Sequence, residues 1–343
     1  MVDQSAIPVA THPAPTLEQV AERAGVSRST ASRAINGGLR VSPEAMESVA
    51  AAVADLGYTP NRAARSLVTR RTDSVALVVP EPDERVLSDP FFAGVLNGVS
   101  SALADSDLQL LLLIARPGDS ERTIRYLRAG HVDGAIVVSH HRDDSIDRAL
   151  QDSRLPNVFI GRPLTERRSA FVDTDNVRGG RIATEHLIAL GRRRIGTITG
   201  PADMSAGLDR LAGWRQALAA AGLPADAVVS GDFTIEGGAA GARELLARYP
   251  DVDAVFVASD LMAAGALPVL AELGREVPGD VAIVGYDNSG LASTTKPNLT
   301  TVVQPIIAMA RAAGEELVAQ LHGRAARTEP LIFAPELVVR GSA

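Results

Sequence analysis

Arg28, Ser29 and Arg33 stand at i, i+1 and i+5 in the stretch "SRSTASRAIN", on the outward side of a helix whose Thr30, Ala31 and Ala34 turn inward. An arginine on the exposed start of a short helix can donate two parallel hydrogen bonds to guanine O6 and N7 in a major groove. Ser27 and Thr30 are better placed for phosphate oxygens, contacts that position a protein on DNA without specifying sequence. A second set of chemistry-bearing residues lies far along the chain, at the ends of apolar runs or in analogous turns. It comprises Asp89 with Phe91 and Phe92, Arg162, Arg210, Phe233, Ser259 with Asp260, Asp287 and Gln304. Aromatic rings stack on the C–H faces of a polyol, and Arg and Asp forks bond its hydroxyls. Singly these residues have plainer readings: Asp260 as a helix cap, Arg210 as a surface ion-pair partner, Phe233 as core. Their convergence at strand exits is what points to a pocket.

The elements that must position the first set are short. Leu17, Val20, Ala21 and Ala24 follow helical spacing, Thr16 caps that helix, and Glu18 and Glu22 suit its early turns. Gly25 permits a sharp turn, and Ser27 caps a second helix running to about Asn36. A third helix begins at Ser42-Pro43-Glu44, presents Met46, Val49, Ala50 and Val53 as its apolar face, and stops at Gly57 before Pro60. A helix-turn-helix places the start of its second helix in the major groove. "NRAARSLVTRR" (61–71) follows, with Asn61 as cap of a helix of about seven residues, too short to be stable alone in water. The segment 60–72 carries Arg62, Arg65, Arg70 and Arg71 and no acid. Leu67 on such a basic helix suits a wedge between base steps in the minor groove. The alternatives are a solvated linker for the arginines and packing against the next domain for Leu67.

From Ser74 onward the pattern is apolar runs alternating with amphipathic helices: 75–79, 108–114, 134–138, 157–160, 194–199, 254–258 and 281–286. Continuous apolar strands separated by helices predict parallel sheets covered on both faces. The series recurs over 75–160 and 194–286, which predicts an α/β region of two similar lobes. Ligands bind such sheets outside the carboxyl ends of their strands.

Composition narrows the classes. The net charge is −7, yet residues 1–72 carry +2, leaving −9 on the remainder. A local basic patch is what meets phosphate, and an acidic remainder confines that contact. Cysteine is absent, which removes disulfides, a catalytic thiol and thiolate metal sites. No apolar run reaches the roughly 18 residues of a membrane span, and the N-terminus lacks a basic n-region followed by an apolar h-region, so membrane insertion and secretion are not expected. There is no phosphate loop and no dinucleotide glycine fingerprint after a strand. His140-His141 reads as a solvated loop, since adjacent residues seldom chelate from one element. Neither an enzyme, a metal nor a cofactor is expected.

The stretch "TLEQVAERAGVSRSTASRAING…VSPEAMESVAAAVADLGYTPNRAARSL" resembles the DNA-binding headpiece and hinge of the LacI/GalR family of bacterial regulators over 16–67. Further on, "DPFF", "DRLAGW", "SD.MA.GAL" and "VGYDN" match blocks of that family's effector domain, which shares the fold of periplasmic sugar-binding proteins. The resemblance implies Arg28, Ser29 and Arg33 as base readers, Ser27, Thr30 and Asn36 as backbone contacts, and Leu67 as the hinge wedge. Thr16, Asn61, Arg62 and Arg65 complete the expected DNA contacts. It implies that Asp89, Phe91, Phe92, Arg162, Arg210, Phe233, Ser259, Asp287 and Gln304 line an effector cleft, with Asp175 as a further candidate. Family members often have Asn at the position of Ser259, and Gly161 replaces an acid found in some sugar binders. The implied organisation is a disordered tail 1–15, a helix-turn-helix domain 16–60, a hinge and linker 61–73 and an effector and dimerisation domain 74–343. Its N-lobe would hold about 74–172 and 304–331, its C-lobe about 173–301 and 332–340. No heptad tail follows, so a dimer is expected. The implied protein is a cytoplasmic repressor that binds a pseudo-palindromic duplex and responds to a mono- or disaccharide. Alternatives are a purine or other metabolite as corepressor, and a sugar-binding protein that does not bind DNA.

Overall fold

The computed structural model describes residues 15–36, 41–59, 71–116, 118–142, 144–164 and 170–343. It divides into two compact units, Met1–Thr72 and Asp73–Ala343. Asn61, Arg62, Arg65 and Leu67 lie outside the described residues.

In the first unit, helices α1 (Leu17–Arg23), α2 (Arg28–Ile35) and α3 (Pro43–Leu56) enclose a small core of Val20, Ala21, Ala31, Val49 and Ala52. Their ends follow from local chemistry. The Thr16 hydroxyl accepts from the Gln19 N–H, and the Gln19 side chain accepts from the Thr16 N–H, so two orphan donors are satisfied reciprocally. Ser27 and Ser42 cap α2 and α3 in the same way, and Pro43 occupies the first turn of α3, where a missing N–H costs nothing. Gly25 and Gly57 take the left-handed conformation needed at the two breaks (φ +67° and +61°). The apolar face of α3 differs from the expected one. Met46 is half exposed and Ala50 exposed, while Ala52 is buried, because the face turned toward α1 and α2 is narrower than the apolar stripe.

The second unit holds two six-stranded sheets. The strands are β1 (Ser74–Val79), β2 (Gln109–Ile114), β3 (Gly134–Val138), β4 (Asn157–Ile160), β5 (Phe171–Thr174), β6 (Ile195–Thr199), β7 (Val228–Ser230), β8 (Ala254–Val257), β9 (Ala282–Asp287), β10 (Thr300–Val303), β11 (Leu331–Phe333) and β12 (Glu336–Val338). The first sheet runs β11-β5-β4-β3-β1-β2, all parallel. The second runs β12-β10-β9-β8-β6-β7, with only β12 antiparallel. Val75–Val79 and Gly134–Val138 are buried throughout, as strands covered on both faces must be. Lobe bounds at 172 and 331 would cut two strands. Both β5 and β11 belong wholly to the first sheet, because β11 pairs with β5 from Leu331↔Val172 to Phe333↔Thr174.

Helices α4 (Asp83–Ser88), α5 (Pro90–Leu103), α6 (Ser120–Arg128), α7 (Ser145–Gln151), α8 (Asn176–Ala189), α9 (Ser205–Ala220), α10 (Ile235–Arg248), α11 (Asp260–Glu272) and α12 (Ile306–Leu321) complete the unit. Met309, Ala310, Ala313 and Leu317 of α12 fill the core of the first sheet beside Val95 and Val99 of α5. The chain therefore crosses between sheets three times: after β5, after β10 and between β11 and β12.

Helices α8 and α9 approach closely through glycines. A Cβ on Gly180 would stand 2.2 Å from the Arg210 carbonyl oxygen, and one on Gly213 2.0 Å from that of Val177. Only backbone lies in the way, so neither helix can yield by a rotamer change. Gly180→Ala is expected to destabilise the second unit by about 2 kcal/mol, the order of overpacking costs, measured as a lower urea midpoint at unchanged m value.

Candidate functional site

The first unit exposes Arg28, Ser29 and Arg33 on α2. Arg33 Nε donates to the Ser29 carbonyl (3.1 Å), and Arg28 ion-pairs with Glu18 of α1 (Nε–Oε1, 2.5 Å). The Ser27 hydroxyl lies 2.9 Å from that of Ser29 and 2.8 Å from that of Thr30, while accepting from the Thr30 N–H. Asn36 ends α2 and donates to the Ser32 carbonyl. Two arginines on a helix of eight residues, with hydroxyls at its start, form a surface suited to phosphate and base edges.

In the second unit, the carboxyl ends of both sets of strands face a cavity of about 690 Å³. It is lined by Asp89, Phe91, Arg210, Phe233, Ser259, Asp287 and Gln304 among the expected residues. Arg210 of α9 is its organising group, with only 3% of its surface exposed. Its Nε donates to Asn176 Oδ1 (2.9 Å), Nη1 to the Ala258 carbonyl (2.6 Å) and Nη2 to Gln304 Oε1 (2.9 Å), and Nη1 lies 3.5 Å from Asp287 Oδ1. The guanidinium carbon sits 3.6 Å from the Tyr286 ring centroid and 5.6 Å from that of Phe233. Phe233 has φ +67°, a left-handed conformation that a bulky residue rarely adopts. Gly200 makes room for it: a Cβ there would stand 2.1 Å from Phe233 Cζ. Arg85, from the other lobe, approaches the same ring (5.8 Å).

The carboxyls differ from free ones. Burial raises Asp287 well above the usual range against the pull of Arg210, and Asp260 and Asp89 reinforce the shift. Burial raises Asp89 as well, opposed by the hydrogen bond that its Oδ1 accepts from the Phe91 N–H. Asp260 is pushed up to about 6, mainly by burial. A second open pocket lies beside the first, sharing Asp89, Phe91, Leu261, Asp287 and Gln304 and adding Pro305, Ile306 and Ile307.

Three expected cleft residues stand elsewhere. Phe92 is 2% exposed in the core of the first sheet and meets Phe91 edge to face (5.3 Å), because successive helical residues point about 100° apart. Arg162 is drawn off by a bidentate ion pair with Asp209 (Nη2–Oδ1, 2.7 Å). Asp175 caps α8 by accepting from the Arg178 N–H. Ser259 lines the cavity and also caps α11. The cavity gains Arg85, Ser139, His140 and Asp173, which sequence reasoning passed over. Ser139 and His140 follow β3 directly, so the strand-exit rule applied there would have found them. Arg85 carries no such signal.

The His140-His141 pair is not a solvated loop. His140 is buried, 3.1 Å from Asp147. His141 joins the two lobes, with Nδ1 2.8 Å from Asp203 and Nε2 3.3 Å from buried Glu81. The Arg142 N–H donates to the Asp203 carbonyl (2.8 Å), so this contact and Arg162–Asp209 form a clasp along one rim of the cleft.

A compact three-helix unit with arginines on its second helix, followed by a two-sheet unit with a polar and aromatic cleft, defines a DNA-binding regulator that carries a ligand-binding module. Residues 16–61 match the profile described as bacterial regulatory proteins, lacI family, and residues 184–343 that of a periplasmic binding protein-like domain. The chain is 50% identical over 333 residues to the HTH-type transcriptional regulator CelR of Thermobifida fusca, covering 96% of this chain and 98% of that one. Its fold is similar to that of a transcriptional regulator CelR–cellobiose complex (TM-score 0.77, 48% identity, 96% and 100% covered). It is also similar to that of a lac repressor dimer bound to operator and the anti-inducer ONPF (TM-score 0.84, 27% identity, 96% and 99% covered). The chain belongs to the lacI family of bacterial regulatory proteins and is a DNA-binding transcriptional regulator.

The rim clasp has a pH signature. Hydrogen bonding to Glu81, opposed by burial and helped by Asp203, raises His141 from 6.5 to about 9. Its protonated form is thus bound more tightly in the folded state. The stability it adds is fully present below pH 6.5 and lost as pH rises through 9. The loss is of order 2 kcal/mol. His141→Gln is expected to flatten the fall in melting temperature of the full chain between pH 6.5 and 9.

Proposed function

We propose that the protein is a homodimeric repressor acting in the cytoplasm, whose grip on a pseudo-palindromic operator is set by a sugar bound in the cleft. The observation that carries this reading is Arg210, a guanidinium held between Asp287, Gln304 and two aromatic rings at the junction of the lobes. Rings and charged forks that converge on one cavity suit a polyol. The adjoining open pocket gives room for a disaccharide, and the similar CelR–cellobiose complex makes cellobiose the first ligand to try. Closure of the lobes on the sugar is the proposed signal, transmitted through segment 61–71 to the headpieces. Arg28, Ser29 and Arg33 are the proposed base readers, Ser27, Thr30 and Asn36 the phosphate contacts, and Leu67 the minor-groove wedge.

A dimer is supported by the edge of the first sheet, where the leucines of β2 are all partly exposed and Leu87 nearby is 79% exposed. A binding role, with no catalytic step assigned to any residue, accounts for the cleft. Among the described residues no helix is long and apolar enough to cross a membrane.

The test is operator affinity by fluorescence anisotropy, with and without each of a panel of mono- and disaccharides. A bound sugar is expected to shift operator affinity by about 5–150-fold, the usual coupling between linked sites. By linkage the operator must shift sugar affinity by the same factor. A sugar that binds equally well with and without operator would remove the allosteric part of the reading. Phe91→Ala is expected to weaken the sugar about tenfold through the loss of a stacking face, while ligand-free operator affinity stays unchanged.

A further inference from the structure

Three arginines stand on α1 and α2, and their polar contacts differ in a way that matters for base reading: Arg23 and Arg33 make hydrogen bonds, and Arg28 makes an ion pair through Nε. Arg23 uses both Nε and Nη2 on Asp55 Oδ2, which ties α1 to α3 and occupies one whole edge of its fork. Arg33 is tethered at Nε alone, to the Ser29 carbonyl. Arg28 meets Glu18 first at Nε, and neither Arg28 nor Arg33 makes a hydrogen bond from Nη1 or Nη2 to any described residue. An arginine pinned at Nε keeps its two terminal nitrogens parallel and free, the arrangement that matches guanine O6 and N7 end-on.

Glu18 suits the first turn of α1, but its place beside the reading helix carries a cost. It is an anion in the first turn of α1, with 61% of its side chain exposed, close to the helix that must approach polyanionic DNA. An exposed ion pair adds little to fold stability. A carboxylate there opposes binding to every duplex through the phosphates. Such a group gains a role in recognition if it affects the right sequence and the wrong ones unequally.

We propose that Glu18 is a positioning residue for base recognition: by holding Arg28 at Nε it presents the terminal nitrogens of the guanidinium to one guanine, and so sets how strictly that base pair is read. An untethered arginine spreads over many rotamers and can settle on a phosphate or a different acceptor. The tether removes those alternatives before DNA arrives. Side-chain freedom in arginine is large enough for this to matter. The proposal rests on Arg28 being a base reader.

The experiment uses the full chain and an operator obtained by selection from a random duplex pool. Affinities are measured for E18A, E18Q, R28A and E18A/R28A on the operator, on every single base-pair variant of it, and on an unrelated duplex. E18A is expected to bind the unrelated duplex about 2–5-fold more tightly, since one repelling charge is gone. It is expected to lose about 5-fold discrimination at the single base pair that R28A also ceases to read. E18Q, which keeps the shape of the side chain and guards against a folding defect, is expected to behave in the same direction. In the R28A background, removing Glu18 is expected to change discrimination nowhere. Equal tightening on all sequences would make Glu18 only a repelling charge and overturn the proposal. A further loss at one base pair in E18A/R28A would make Glu18 a reader in its own right and overturn it too. If R28A loses no particular base pair, the base-reading assignment of Arg28 fails and the proposal fails with it. If R28A loses one and E18A and E18Q do not, the positioning role alone fails.

Discussion

A positive charge buried at the junction of two lobes needs partners wherever it points, and Arg210 draws them from four separate parts of the chain. Asn176 opens α8, Ala258 follows β8, Asp287 ends β9 and Gln304 follows β10. Removing a charge from water without such compensation costs several kcal/mol. The exits of β8, β9 and β10 and the start of α8 are therefore held at fixed distances from one guanidinium. Asn176 extends the network to Asp173 of the first sheet (3.0 Å), whose other oxygen accepts from the Arg162 N–H (2.8 Å). A ligand that altered the geometry of Arg210 would be felt in both lobes through a continuous chain of hydrogen bonds.

The neighbouring acids are tuned by the same arrangement. Asp260 accepts from the Thr301 hydroxyl (2.6 Å) and the Ser289 N–H (2.8 Å), and Gly285 leaves the space that its carboxyl fills. Asp260 thus ties α11 to β9 and β10 beneath the cavity floor, while Asp287 stands at its surface. The charge of Asp260 adds to the burial that raises Asp287.

Much of this was legible in residue order. The seven apolar runs are all strands; β1, β3, β4, β6, β8 and β9 lie inside their sheets, where a strand covered on both faces has no polar alternation to disguise it, and β2 is an edge strand built of leucines. Others, "FVDT" at β5, "VVS" at β7, "TTVV" at β10 and "LIF" at β11, place only two or three apolar residues in a row and do not stand out. The helix caps at Thr16, Ser27 and Ser42 read correctly because capping is local. The cleft residues followed from strand exits for the same reason. What failed depends on partners distant in sequence. Arg162 is diverted by Asp209, 47 positions away, and His141 is engaged by Glu81 and Asp203, about 60 away on either side. No local pattern announces such pairs. Phe92 differs for another reason: a helix can turn only one of two adjacent aromatics toward a ligand, and Phe91 takes that place while Phe92 enters the core.

Helix α12 and strand β11 come late in the chain but belong to the first sheet, and this has a consequence for the order of assembly on the ribosome. One face of that sheet is covered by Met309, Ala310, Ala313 and Leu317, and its edge strand β5 gains its outer neighbour only with Leu331–Phe333. At ordinary elongation rates the nascent first lobe waits on the order of ten seconds after β5 for these residues. During that interval it carries an uncovered apolar face and an unpaired edge. The second lobe, whose strands β6 to β10 emerge in one uninterrupted run, lacks only β12 and can mature first. The lobe begun earlier is the one completed later, so that interval is when this chain most needs protection from its neighbours.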